Sequence, residues 1–193
     1  MTKVFASLPL KDRKQLAQLV AEHCQALDES LKVVERSGEE EIWGSMDLLA
    51  IDGGSRPVII DVALQDGDEL LVEGLAHLGW MAQNRKLLAA LMAEEEVNMN
   101  LSPRLILVAP DFSSTLQKAA AGLTNLAIDL FRFRWLESGD EKGLFLETAF
   151  SSASRDASAI EASDSSGTLS KIIVPLEEEE IATFMNMNPR FTL

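Results

Sequence analysis

The chain has no tyrosine, one cysteine and two histidines among its 193 residues, and only 17 lysines and arginines stand against 31 aspartates and glutamates. Each shortage removes a class of function. A single Cys24 forms no internal disulfide, and nothing in the sequence partners it for a zinc site. His23 and His77 have no spacing that pairs them as ligands and read as ordinary helix residues. A net charge of −14 opposes adsorption to DNA, RNA or anionic lipid, because counterion release needs a basic footprint. Any such footprint has to be local. The missing tyrosine also weakens the case for base stacking on aromatic side chains. No uncharged apolar run approaches the ~20 residues of a membrane helix, and the first residues lack a signal-peptide run. A cytoplasmic, soluble chain is expected, and no internal repeat is visible.

What is present is ordinary globular composition: 47% apolar and 25% charged residues. This length buries one proper core. We expect a single domain over residues 1–150. A Ser-, Ala- and Asp-rich linker should follow over 151–168, then a short tail over 169–193. The tail carries Ile172-Ile173-Val174-Pro175, the acidic run Glu177 to Glu180, and then Ile181, Phe184 and Met185. It is expected to dock on its own domain or on a neighbour.

Along the domain, Leu16, Leu19, Val20, Cys24, Leu27, Leu31 and Val34 recur at three- and four-residue steps. They predict a helix over 10–34, with Ser7 as N-cap, Pro9 in the first turn and Gly38 at the stop. Ile42-Trp43 reads as a short strand. Leu48–Ile51 and Val58–Ile60 are nearly continuous apolar runs, the pattern of strands covered on both faces. The Gly53-Gly54-Ser55 segment between them supplies the positive-φ positions of a hairpin, and Pro57 opens the second strand. Further on, the pattern predicts a long helix over 69–93, a strand over 104–109, a helix over 114–126 and strands over 128–136 and 144–150. In the first of these last two strands, Phe131, Phe133 and Trp135 share a core-facing side and Arg132 and Arg134 the other. The order of elements implies an α/β fold in which a mixed central sheet is sandwiched between helices.

Asp47-Leu48-Leu49-Ala50-Ile51-Asp52 and Pro57-Val58-Ile59-Ile60-Asp61 then carry a resemblance. Over about Leu27 to Phe150 the chain resembles the PD-(D/E)xK superfamily of restriction-endonuclease-like nucleases. Bacterial members read roughly "DLL-alid-G-vviEvK", with a Gln-x-x-x-Tyr element on the following helix. The resemblance implies that Asp47 and Asp61 are the two acids that hold Mg²⁺, which activates water against a phosphodiester. Glu29 or Glu35 stands for a glutamate that some members add from the first helix. Glu73-x-x-x-His77, followed by Trp80, stands for the Gln-x-x-x-Tyr element and brings Glu73 towards the metal.

One position departs decisively. Where the family has a lysine that stabilises developing charge, this chain has Ala63. Asp47, Asp61, Glu29 and Glu73 would then converge with no cation built in. Arg85 and Lys86 lie about three helical turns from Glu73, roughly 18 Å, too far to replace the lysine. The expectation is a degenerate member with a remnant divalent-metal site. It would serve in binding or assembly, through self-association or a protein partner, with nucleic acid disfavoured by the charge. The alternative is a Mg²⁺-dependent nuclease acting through Asp47 and Asp61. Whether Arg85, Lys86, Arg132 and Arg134 line one groove leading to Asp61 discriminates between the two.

Overall fold

The computed structural model describes residues 6–36, 46–139 and 141–152. Strand β1 is Ala6–Ser7, helix α1 Arg13–Glu22, β2 Lys32–Arg36, β3 Leu48–Ile51 and β4 Pro57–Val62. Then come α2 Leu70–Gln83, α3 Arg85–Leu91, β5 Arg104–Ala109, α4 Ser114–Gly122, β6 Ala127–Ser138 and β7 Glu141–Ser151. Among these residues no helix is long and apolar enough to cross a membrane.

The strands form one mixed sheet in the order β1-β6-β5-β4-β3-β2, with β7 paired to β6. Its centre, β4-β5-β6, is parallel, and β2-β3-β4 and β6-β7 are antiparallel. Strand alternation divides the core in two. Leu48, Ala50, Val58, Ile60 and Val62 pack with Leu16, Val20 and Leu27 of the N-terminal segment. Leu49, Ile59, Leu105 and Leu107 pack with Leu70, Leu78 and Met81 of α2, Leu88 of α3 and Leu116 of α4. Helices therefore cover both faces of the sheet, as the continuous apolar runs of β3 and β4 require.

The first helix is shorter than its apolar stripe predicts. Asp12, not Ser7, is the N-cap and accepts from Gln15 N–H at 2.8 Å, while Ser7 belongs to β1 and Pro9 precedes the helix. α1 ends at Glu22, and a 3₁₀ turn spans Cys24–Ala26. The Asp28 carboxylate accepts from both the N–H and the hydroxyl of Ser30, a local turn that competes with the helix. The β-branched pair Val33-Val34 then enters β2. The predicted helix over 69–93 divides at Asn84, whose amide donates to Trp80 O at 2.9 Å. In the hairpin the positive φ falls on Ser55, at 61°, and on neither glycine. Gly53 is needed for space, because a Cβ there would lie 2.9 Å from Ser30 Cβ. The predicted strand at Ile42-Trp43, the stop at Gly38 and the linker and tail from 153 onward lie outside the described residues.

Candidate functional site

β3 and β4 pair with Leu48 opposite Ile60, so Asp47 and Asp61 come next to each other at the end of the ladder. Both share the parity of Leu49 and Ile59 and face α2. Asp61 is completely buried and Asp47 is 8% exposed. The strands themselves satisfy part of this charge. Val62 N–H donates to Asp47 Oδ2 at 2.8 Å, and Asp47 N–H reaches Asp61 Oδ1 at 3.4 Å.

α2 supplies the roof. Glu73 lies in its first turn and His77 one turn later, on the same side of the helix. Gly74, between them, lets the helix approach the sheet closely. A Cβ at that position would sit 2.8 Å from both terminal methyls of Leu105. His77 Nδ1 thereby comes within 2.8 Å of Asp61 Oδ2. His77 is buried and is a partner in the site, where the sequence reads it as an ordinary helix residue.

The cation that the sequence reading finds missing is Arg13. α1 lies on the far face, anchored by Leu16, Ala17 and Val20, and its first residue reaches round the end of the sheet. Arg13 Nε lies 2.9 Å from each Asp47 oxygen, Nη2 lies 2.8 Å from Oδ2, and Nη1 donates to Glu73 Oε2 at 3.1 Å. One guanidinium thus bridges the sheet and α2. The expectation of carboxylates converging without a built-in cation is corrected here. No local pattern pointed to Arg13; for His77 the usable signal was its place on the apolar stripe of α2, one turn from Glu73.

The electrostatics follow from burial and pairing. Desolvation pushes the Asp47 carboxyl above its ordinary range, outweighing the guanidinium and the Val62 N–H. Burial opposes the charge on Arg13, but Asp47 and Glu73 together outweigh it and raise its pKa. The hydrogen bond to Asp61 raises His77 above its usual 6.5, against a smaller desolvation effect, and the charges of Asp61, Asp47 and Glu73 add to the rise.

Glu29 and the predicted cations lie apart from this cluster, whereas Glu35 is on the strand next to β3. Glu29 sits in the turn before β2, whose Ser30 hydroxyl accepts from Gly53 N–H at 3.0 Å. That is the hairpin-turn end of the sheet, roughly 17 Å of strand from Asp47. Glu35 stands opposite Leu49 in β2. Ala63 continues the β4 face, with its N–H on Val108 O at 2.8 Å. Arg132 pairs with Asp111 and Glu147, Arg134 donates to Pro110 O, and Arg85 borders an apolar groove beside α2. These cations do not line one groove to Asp61. At the hairpin-turn end a second, part-buried cluster forms, where Arg104 joins the buried Asp129 and the half-buried Asp28 at 2.6 Å each.

As arranged, the residues do not fit a magnesium ion. Mg²⁺ demands a near-octahedral set of oxygens, and both Asp47 oxygens already accept from Arg13 while Asp61 is engaged by His77 and Asp47 N–H. Among the described residues no group of three or more His, Cys, Asp or Glu is placed to hold a metal.

No family model and no curated protein matches the chain. Among solved structures it is similar to a repair endonuclease from Pyrococcus abyssi, at 18% identity over 66% of this chain and 49% of that one, TM-score 0.41. It is also similar to EndoMS in an EndoMS–dsDNA2 complex, at 16% identity over 66% of this chain and 47% of that one, TM-score 0.40. EndoMS in its apo form gives 16% identity over 60% and 44% of the two chains, TM-score 0.40. The chain spans about half the length of the structures it matches.

Proposed function

We propose that this chain is a restriction-endonuclease-like domain in which an ion-pair clamp replaces the metal centre. It serves in binding or assembly, with a protein partner or a second copy, and does not cleave phosphodiesters. The observation that carries this reading is the Arg13 guanidinium, bonded to both oxygens of Asp47 and to Glu73. It supplies to the first acid the positive charge that a metal would bring, but it has no open coordination position and activates no water. The motif lysine that would stabilise the transition state is Ala63. The net charge of −14 and the dispersed arginines remove the basic groove a nucleic-acid backbone would need.

An active metal-dependent nuclease is the second reading, favoured by one observation: Asp47 and Asp61 stand side by side and face the same way. Plasmid and labelled single-stranded DNA incubated with Mg²⁺ or Mn²⁺ separate the two. The clamp predicts no cleavage by the wild type across a range of salt, and no Mn²⁺ binding by titration. Cleavage by the wild type that disappears in Asp47→Asn overturns it. Arg13→Gln with Ala63→Lys tests the conversion in reverse, since it removes the occupying cation and restores the family's lysine.

A further inference from the structure

At the hairpin-turn end of the sheet, away from Asp47, a groove of about 230 Å³ opens between α2, the segment before β5 and the start of β6. Leu78, Met81, Met99, Leu101, Pro103 and Leu126 line it, with Arg85 at its rim. Lys86, next to Arg85, is exposed. Beside it lies a larger, polar hollow of about 640 Å³ that shares Ser102 and Leu126 with the groove and reaches Ser152. Ser152 is where the described fold ends. Its N–H donates to Ile128 O at 3.0 Å and its hydroxyl accepts from Ile128 N–H at 3.0 Å, two residues from Leu126 in the groove wall. The chain therefore leaves the domain next to the groove.

We infer that the apolar groove is the docking site for this chain's own segment Ile172-Ile173-Val174-Pro175. Three features select this occupant. The first is reach: residues 153–171 extend to roughly 60 Å, far more than the groove requires. The second is tethering: a segment on the same chain meets its groove at roughly millimolar effective concentration. A second copy has no such advantage and brings another −14 charges into contact. The third is chemistry. Branched apolar side chains and a proline match the lining, and Glu177 to Glu180 follow after Leu176, opposite in sign to Arg85 on the rim and to the exposed Lys86 beside it in the chain. The inference goes beyond the clamp reading and does not depend on it.

The experiment is methyl NMR on the full chain with ¹³C-methyl methionine and a nitroxide attached at Ser170→Cys; Cys24 is buried. The expected result is selective broadening of the Met81 and Met99 methyls in dilute protein. Met46, at the Asp47 end of the same core, stays sharp. Ile173→Asp in the tail and Ala82→Arg on the exposed edge of the groove should each abolish the broadening. Absence of selective broadening overturns the inference, as does broadening that survives Ile173→Asp. Broadening seen only when nitroxide chains are mixed with ¹³C chains makes a second copy the occupant and overturns it equally.

Discussion

Replacing Arg13 with alanine removes a cation that joins α1 to Asp47 and to α2, and its cost follows from how deeply each partner is buried. Breaking a fully buried pair costs about 3–5 kcal/mol and an exposed pair about 0.2–1 kcal/mol. The Arg13 side chain is 39% exposed and that of Asp47 only 11%, so the pair lies between these limits. The Glu73 arm, with side chains 39% and 46% exposed, adds little. Asp47 also keeps its bond from Val62 N–H, which softens the loss. We therefore expect Arg13→Ala to destabilise by about 1–3 kcal/mol in urea unfolding at neutral pH. The loss should depend on pH in a defined direction. Burial already raises Asp47 above 3.8, and without the guanidinium it rises further. Protonation then relieves the stranded charge, so the gap between wild type and variant narrows as pH falls through the Asp47 pKa. Asp47→Asn should recover much of the loss in the Arg13→Ala background, because the unpaired charge is gone. A cost below about 0.5 kcal/mol, unchanged between pH 7 and pH 4 and additive with Asp47→Asn, would refute the clamp.

Other consequences are as direct. His77 has a raised folded pKa, so its stabilising contribution is complete below 6.5 and fades as pH rises through the folded value. The ring should titrate above 6.5 by NMR and move back towards that value in Asp61→Asn; a wild-type midpoint at or below 6.5 contradicts the geometry. Arg104→Met leaves Asp129, 2% exposed, and the part-exposed Asp28 without their shared cation; Asp129 keeps its bonds from Ser151 and Ser152, so the cost should be about 2–4 kcal/mol in denaturant unfolding. The Asp28 contribution to stability has the opposite pH dependence to that of His77. The Asp28 pKa is lowered against the effect of burial, mainly by Arg104, so its share of stability is lost as pH falls below 3.8. Finally, Gly74→Ala should destabilise by about 1–3 kcal/mol through overpacking against Leu105, whereas Gly79→Ala, with open space around it, should stabilise by about 0.5–1 kcal/mol. Thermal unfolding of the two variants side by side checks that contrast.

The layers and most elements were legible because they rest on local patterns. Apolar runs at Leu48–Ile51 and Val58–Ile60, a glycine turn between them and Pro57 at a strand start lead to β3, with Asp47 just before it, and to β4, which contains Asp61. The stripe from Leu16 to Val34 misled, because Leu27 and Leu31 are buried on the same face as α1 without being helical. The periodicity reported their burial correctly; the turn chemistry of Asp28 and Ser30 decided the backbone. The stripe puts Glu29 on a continuation of that helix, but the helix ends at Glu22 and Glu29 belongs to the other end of the sheet.

By itself, then, the sequence determined a helix-covered mixed sheet with Asp47 and Asp61 on neighbouring strands, because strand alternation and hairpin connection are properties of contiguous residues. It also determined that no lysine stands at 63. Only the tertiary structure decided what neutralises these acids. Arg13 is 34 positions from Asp47 in the chain and 60 from Glu73. Their meeting depends on how α1 lies across one face and how closely Gly74 lets α2 approach the other. A charge pair across layers has no period and no spacing. It is set by packing, which joins elements that the chain itself keeps apart.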